Sequence, residues 1–418
     1  MDFKFGNAIV GQSGGPTSAI NATLSGVIRG CAEAHKRGEI GTLFGMKNGI
    51  QGLIEGWVTD LSVLYGNEEE LQKLENTPAS ALGSCRKKLP DPETDHEIYT
   101  AIFDYLKKLD VRCFFYIGGN DSMDTVDKMH KYAKRKGIDI LVMGVPKTID
   151  NDLPITDHTP GYGSAAKFIA NTVSEIVADC AVYSVPAVTI VEIMGRDTGW
   201  LTAAAGLPAA AGNPAPDLIY FPEKTFSLEK LYADIECAFK KHNNIVIAVS
   251  EGIEYADGSL VGEDPNAGLD AFGHKQLSGA CKVLASAIKG RFDCKTRGIE
   301  LNLPQRCAAH IASLTDINES VAIGSAAVAS LCAGNSGCVV AFDRNSDNPY
   351  SVSFSTHPSP MLANQIKYLP DNYINESENG ITEAFFDYAL PLIDGETTPV
   401  YKNGIIAHYI FDNFYKVD

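Results

Sequence analysis

Short runs of continuous apolar residues alternate along this chain with longer stretches whose apolar positions recur every three or four residues. The first pattern marks a strand buried on both faces, the second a helix with one buried face. The clearest unit begins at Cys113-Phe114-Phe115-Tyr116-Ile117 and breaks at Gly118-Gly119-Asn120-Asp121-Ser122. It continues as a helix with Val126, Met129 and Ala133 on one face, ending near Gly137, and a second strand comes next over Ile138 to Val145. Strand, loop, helix and strand together take about thirty residues, the size of a βαβ unit.

Further strands are expected at Ala8 to Val10, Val188 to Ile193, Leu218 to Phe221, Ile245 to Val249, Ile299 to Leu303 and Cys338 to Phe342. Helices are expected at Ala19 to Ala34, Ile98 to Leu106, Ala165 to Cys180, Leu228 to Lys241, Lys275 to Lys289 and Asn318 to Leu331. This alternation implies an α/β fold with mainly parallel sheets, and the number of strands suits two sheets better than one. No repeat, low-complexity tract or Pro/Ser linker interrupts the order. Glu254 to Gly273, rich in Gly, Asp and Asn, lacks periodicity and reads as a lid, a subunit contact or a plain surface loop.

Composition narrows the function. With 418 residues, 45% hydrophobic and 21% charged, the chain is an ordinary globular protein of about two or three domains. Lys plus Arg number 35 against 52 Asp plus Glu, a formal net charge of −17. That acidity argues against sequence-independent nucleic-acid binding and against anionic membranes. The longest apolar stretch, Val321 to Gly334, falls short of the roughly 20 residues needed to span a bilayer. Met1-Asp2-Phe3-Lys4-Phe5 lacks the features of a signal peptide. The ten cysteines are scattered, with no CxxC and no Cys/His cluster at zinc spacing, and read as reduced thiols of a cytoplasmic protein.

In parallel α/β sheets, ligands bind beyond the carboxyl ends of the strands. The residues just past each predicted strand are therefore informative. Gly11-Gln12-Ser13-Gly14-Gly15-Pro16-Thr17 comes after Val10, and Gly118 to Ser122 comes after Ile117. Such turns cradle phosphate or simply reverse the chain. The first is not a Walker loop, since no Lys-Ser or Lys-Thr closes it, and it lacks GxGxxG spacing. Pro146-Lys147-Thr148-Ile149-Asp150-Asn151-Asp152 puts two carboxylates and a lysine within a few residues. That cluster is costly unless a ligand or metal uses it, the alternative being a solvated charged turn. Met194-Gly195-Arg196 and Ser250-Glu251-Gly252 end two more strands. In so acidic a chain, Arg86, Arg196 and Arg306 are candidate phosphate ligands, because an anion site must concentrate cations locally.

Taken in order, these loops resemble the phosphofructokinase family. The resemblance is carried by Gly14-Gly15 with Asn21, Leu82-Gly83-Ser84-Cys85-Arg86, Gly118 to Ser122, Pro146 to Asp152, Met194-Gly195-Arg196, Glu251-Gly252 and Gln305-Arg306. It implies two Rossmann-like three-layer domains with the active site in the cleft between them. The larger, donor-binding domain would comprise 1–160 plus about 305–365, and the smaller, sugar-phosphate-binding domain 161–304 plus the C-terminal segment to 418. The resemblance further implies magnesium-dependent transfer of a phosphoryl group to the 1-hydroxyl of fructose 6-phosphate. Asp150 would be the general base, Asp152 would orient the base or the sugar, and Thr148 and Arg196 would contact the transferring phosphoryl. Gly14, Gly15, Arg86, Gly119, Asn120, Asp121, Ser122 and Lys147 would hold the donor. Met194, Gly195 and Glu251 would hold the sugar hydroxyls, and Arg306 and Arg297 its 6-phosphate. The counterpart of Arg297 comes from a neighbouring subunit in family members, which implies a homo-oligomer, dimer or tetramer.

Members that use ATP have glycine where this chain has Asp121 and Lys147, whereas aspartate and lysine there mark use of pyrophosphate. Physics agrees: a carboxylate at 121 repels a nucleotide's α-phosphate, and Lys147 adds a cation for a compact, highly charged donor. Three positions depart from the pattern. Asn120 replaces an aspartate near magnesium, leaving the ion to Asp121, water and pyrophosphate; Asn120 and Asp121 are nonetheless the expected metal-site residues. Leu303 and Ala187 replace sugar-binding residues, which keeps a longer acceptor such as sedoheptulose 7-phosphate open. The ATP-dependent enzyme is the alternative on the donor side. A silent regulatory subunit would lack Asp150, and a nicotinamide-nucleotide or lipid kinase would lack the Met-Gly-Arg and Thr-Ile-Asp-Asn-Asp combination.

Overall fold

The computed structural model describes residues 3–263, 268 and 279–417. Its main strands are β1 (Asn7–Gln12), β2 (Leu43–Met46), β3 (Trp57–Asp60), β4 (Val111–Gly118), β5 (Leu141–Pro146), β6 (Ala187–Ile193), β7 (Leu218–Tyr220), β8 (Asn244–Ser250), β9 (Lys295–Glu300), β10 (Cys338–Asp347) and β11 (Tyr350–Pro358). They build an eight-stranded sheet, ordered β11-β10-β5-β4-β1-β2-β3 with Tyr415–Lys416 at the far edge, and a four-stranded sheet, ordered β7-β8-β6-β9. The smaller sheet is parallel throughout. In the larger, β2, β1, β4, β5 and β10 run parallel, and β3 and β11 flank them antiparallel.

Alternate residues of each central strand serve opposite faces, as the pleat requires. On β4, Cys113, Phe115 and Ile117 pack with α1 (Ile20–Lys36) and α4 (Leu314–Cys332), through Leu24, Val27, Ile323 and Val328. Phe114 and Tyr116 face the other way, toward Val126 and Met129 of α2 (Asn120–Lys136). On β6, Val191 and Ile193 meet Ile169 and Val173 of α3 (Tyr162–Ala181), while Val188 and Ile190 meet Leu231, Leu284 and Ile288. Each such side chain contributes about 1.5–3 kcal/mol on burial. Helices thus cover both faces of each sheet, and only the strand ends are left for loops that bind ligands.

Several expected bounds shift. The strand expected from Ile138 begins at Leu141, because Gly137 turns left-handed (φ +64°) to end α2. The strand expected at Ile299–Leu303 lies earlier, at Lys295–Glu300. There β9 is the sheet edge and presents Lys295 and Arg297 to solvent, so its polar residues hide it, and Asn302 (φ +46°) turns the chain before Leu303. The helix expected from Lys275 is described from Ala280, and Lys275 lies outside the described residues, as do 264–267 and 269–273 of the Glu254–Gly273 stretch.

The assignment of the whole C-terminal segment to the smaller unit is corrected at its end. Leu369, Phe385, Tyr388 and Leu392 do join the core on the α3 face of the smaller sheet. Tyr409, Phe411 and Phe414 instead pack on the larger sheet, and Tyr415–Lys416 pairs with the otherwise open edge of β3. No helix among the described residues is long and apolar enough to cross a membrane.

Candidate active site

The loops at the ends of β1, β4, β5, β6 and β8 converge, with Arg306, on a cleft of about 370 Å³. Its construction starts at Gln12, a fully buried polar residue at the end of an apolar strand. The Gln12 amide donates to Asn21 Oδ1 (2.9 Å) and accepts from Leu82 N (3.0 Å). Asn21 in turn accepts from Ala81 N (3.0 Å) and donates to the Thr77 carbonyl (2.8 Å). These bonds lay the 77–86 loop across the end of β1, where Ser84 Oγ donates to the Gly14 carbonyl (2.6 Å).

The paired glycines admit two cations. A Cβ at Gly14, where φ is +79°, would stand 3.3 Å from Lys147 Nζ, and one at Gly15 would stand 3.6 Å from the Arg306 guanidinium. Lys147 is only 2% exposed, yet among the described residues its ammonium makes one hydrogen bond, to the Gly15 carbonyl at 2.6 Å. Burial pulls its pKa down to about 8, against the nearby Asp150 and Asp152 and with Arg306 and Arg86 adding to the fall. A buried ion costs several kcal/mol, so one carbonyl is poor compensation and the ammonium is well matched to an incoming anion.

The turn after β5 holds the carboxylates. Thr148 Oγ1 accepts from Asp150 N (3.1 Å) and donates to Asp150 Oδ2 (3.3 Å), and Thr198 donates to the Asp150 carbonyl (3.1 Å). Burial, reinforced by Glu251 and Asp197, pushes the Asp150 pKa up to about 6, although Thr148 and Lys147 oppose the rise. Burial and then Asp150 push Asp152 up to about 7. The pair therefore titrates near neutrality, as a base poised for proton transfer should. Among the described residues, Asp152 Oδ1 and Arg196 Nε are buried without a hydrogen-bond partner.

The opposite wall comes from the smaller sheet. Gly195 N donates to Glu251 Oε1 (3.3 Å), Ser250 Oγ donates to the Gly195 carbonyl (2.5 Å), and Met194 N donates to Gln305 Oε1 (3.2 Å). These bonds fix the Met194–Arg196 loop against the Gln305–Arg306 turn. Burial holds Glu251 above its ordinary pKa, and burial followed by Arg86 holds Arg306 below its own. The lining carries the cations Arg86, Lys87, Lys88, Lys147, Arg196 and Arg306 and the carboxylates Asp121, Asp150, Asp152, Asp197 and Glu251. In a chain of net charge −17, this is a marked local concentration of cations.

At the donor end, Gly119, Asn120, Asp121 and Ser122 open α2 on the cleft. Asp121 Oδ1 pairs with Lys88 Nζ at 2.8 Å. The Asn120 amide donates to the Gln365 carbonyl (2.8 Å) and accepts from Asn364 N. Among the described residues no group of three or more His, Cys, Asp or Glu side chains is arranged to hold a metal.

Of the other residues expected to hold donor or sugar or to take part in the chemistry, all but two line the cleft. Gly195 acts behind it through its backbone, and Arg297 sits exposed on the edge strand β9. Sequence reasoning passed over Lys87, Lys88, Asp197 and Thr198, although the basic run Arg86-Lys87-Lys88 and the polar Asp197-Thr198 beside Arg196 were available signals.

Fold and site together define a two-sheet α/β protein that gathers cations around a buried carboxylate pair at its strand ends, which is the equipment of a phosphoryl-transfer enzyme. The chain belongs to the phosphofructokinase family, whose description, Phosphofructokinase, is matched by residues 7–331. Over 401 residues it is 39% identical to the pyrophosphate–fructose 6-phosphate 1-phosphotransferase of Halomonas elongata, covering 96% of this chain and 94% of that one. Over 407 residues it is 38% identical to the enzyme of the same name from Xanthomonas campestris, covering 97% and 96%. The crystal structure of pyrophosphate-dependent phosphofructokinase from Nitrosospira multiformis superposes with a TM-score of 0.88 at 34% identity, covering 99% of this chain and 98% of that one.

Proposed function

We propose that this protein transfers a phosphoryl group reversibly between inorganic pyrophosphate and the 1-hydroxyl of fructose 6-phosphate. The observation that carries the reading is Lys147: a buried ammonium that bridges from the Asp150 turn to the Gly14–Gly15 loop and makes a single hydrogen bond there. In the forward direction Asp150 takes the proton of the 1-hydroxyl as its oxygen bonds to the transferred phosphorus. The bond from that phosphorus to the bridging oxygen breaks, and phosphate leaves. Lys147 and Arg86 neutralise the donor, and Thr148 and Arg196 contact the phosphoryl in flight. Asp152 orients the base or the sugar, Glu251 and the Met194 backbone hold the sugar hydroxyls, and Arg306 holds the 6-phosphate.

A carboxylate at Asp121, here paired with Lys88, would crowd and repel a nucleotide's α-phosphate, which favours the smaller donor. Magnesium fits as an ion carried in with pyrophosphate. Asp121, here paired with Lys88, would be its protein ligand at the donor end, since magnesium is usually bound through one or two carboxylates together with water and substrate phosphate. When bound, it supplies charge neutralisation on the donor. Arg297 would serve the sugar phosphate of a second copy, making the active form a homo-oligomer, and its exposure on β9 supports that reading. All ten cysteines are free, as suits a cytoplasmic enzyme.

The test compares donors on fructose 6-phosphate with magnesium. Fructose 1,6-bisphosphate is expected with pyrophosphate and not with ATP. Product with ATP alone overturns the donor assignment, and product only with sedoheptulose 7-phosphate overturns the acceptor.

A further inference from the structure

The Asp150–Asp152 turn has a second face. Asp150 and Asp152 line the cleft, but Asn151 between them is fully buried with a left-handed backbone (φ +53°). Its side chain is held by the C-terminal segment: Nδ2 donates to the Tyr388 hydroxyl (2.8 Å), and Oδ1 accepts from Lys367 Nζ (3.3 Å). Lys367 spends its two remaining donors on the carbonyls of Thr156 (3.1 Å) and Asp157 (2.9 Å), so all three are used. Its own amide donates to the Asp152 carbonyl (2.7 Å), its carbonyl accepts from Trp200 Nε1 (2.9 Å), and its ammonium lies 5.1 Å from the centre of the Trp200 ring.

The neighbours of Lys367 extend the same connection. Asn364 and Gln365 bind the Asn120 amide at the start of α2. Leu369 N donates to Glu223 Oε1 (2.9 Å), which also accepts from Gly199 N (2.8 Å), just beyond Arg196. The strap from Asn364 to Leu369 therefore joins the donor loop, the base turn and the Arg196 loop from outside the cleft.

We propose that Lys367 is a positioning residue for phosphoryl transfer, holding the Asp150–Asp152 turn in register through the Asn151 side chain. The proposal rests on the cleft being the pyrophosphate and fructose 6-phosphate site. The left-handed Asn151 is fixed by its surroundings, since its side chain has a partner on each polar atom. The backbone bonds of the strap survive a Lys367→Met substitution. Removing the ammonium therefore loosens the turn without removing the strap, and small misplacements of a reacting group are expensive in rate.

The experiment measures kcat and both KM values, with thermal melting, for Lys367→Met beside wild type in the pyrophosphate reaction. The expected result is a kcat lower by about 10- to 100-fold, KM values within about threefold, and a cooperative melt. A folded Lys367→Met with wild-type kcat overturns the assignment, because a purely structural role lowers the melting temperature and leaves turnover per folded molecule intact. If Lys367→Met does not fold, Tyr388→Phe removes the bond at the other end of the same amide and keeps the ring. A lowered kcat at unchanged KM then supports the assignment, and an unchanged kcat overturns it. A wild-type protein that makes no product from pyrophosphate overturns the functional reading and this proposal with it. An active wild type with an unaffected variant overturns only the role of Lys367.

Discussion

Lys147 and Lys367 stand on opposite faces of one turn and share a lowered pKa. Burial pulls each to a pKa of about 8, opposed at Lys147 by Asp150 and Asp152 and at Lys367 by Asp157 and then Asp152. They differ in how their donors are used. Among the described residues Lys147 makes one hydrogen bond, to Gly15, whereas Lys367 makes three, to Asn151, Thr156 and Asp157. A saturated ammonium holds protein parts together. An ammonium with donors to spare, lining a cleft beside Arg86 and Arg306, is equipped for a ligand. Burial and a displaced pKa mark both lysines as unusual, and only the partner inventory tells cement from catalyst.

The sharpest way to separate the faces is to remove the base. Asp150→Asn keeps the shape of the turn, so turnover should fall by about 10²–10⁴-fold while folding is unharmed. Steady-state kinetics and melting measured on the same sample check it, and near-normal turnover would remove Asp150 from the mechanism. Next comes Lys147→Met, for which kcat/KM for pyrophosphate should fall by about 10²-fold or more with a smaller change for fructose 6-phosphate. It also carries a pH signature. In wild type, kcat/KM should rise as the Asp150–Asp152 pair ionises between about 6 and 7, and fall as Lys147 loses its proton near about 8. Lys147→Met should lose the alkaline limb and keep the acid one. An alkaline limb that survives belongs to another group.

The cleft face was legible in the sequence because its elements are local. An apolar run, then glycines or charges, then a helix announces a ligand loop at a strand end, and five such loops do converge. The rear face was not legible, since Lys367 binds Asn151 across 216 residues of sequence and nothing around it marks a site. Gln12 and Gln305, which set the loops, resemble ordinary polar residues until their partners are known. Edge strands and short strands failed for a related reason. β9 and β11 alternate or expose polar side chains, and β2 and β3 are four residues each, so their identity as strands comes from the neighbours they pair with. The contact of the Asn120 amide with Asn364 and Gln365 was hidden for the same reason, since those partners lie 244 and 245 residues away in sequence.

The smallest expected effect joins the two faces. Burial raises Asp152 from an ordinary carboxylate value to about 7 in the folded protein, so the folded state holds its proton more tightly than the unfolded state. Stability from this group is complete below the unfolded pKa of about 4. It declines as pH rises through the folded value of about 7 and is flat above it. Asp152→Asn cannot ionise and escapes that decline. Its melting temperature relative to wild type should therefore climb between pH 4 and pH 8, with a gain on the order of a few kcal/mol at the alkaline end. A difference independent of pH would mean that packing, and not charge, sets the effect. Lys367 sharpens the test, because its charge partly offsets the burial of Asp152. In a Lys367→Met background the alkaline gain from Asp152→Asn should be larger, since the carboxylate has then lost the cation behind the turn.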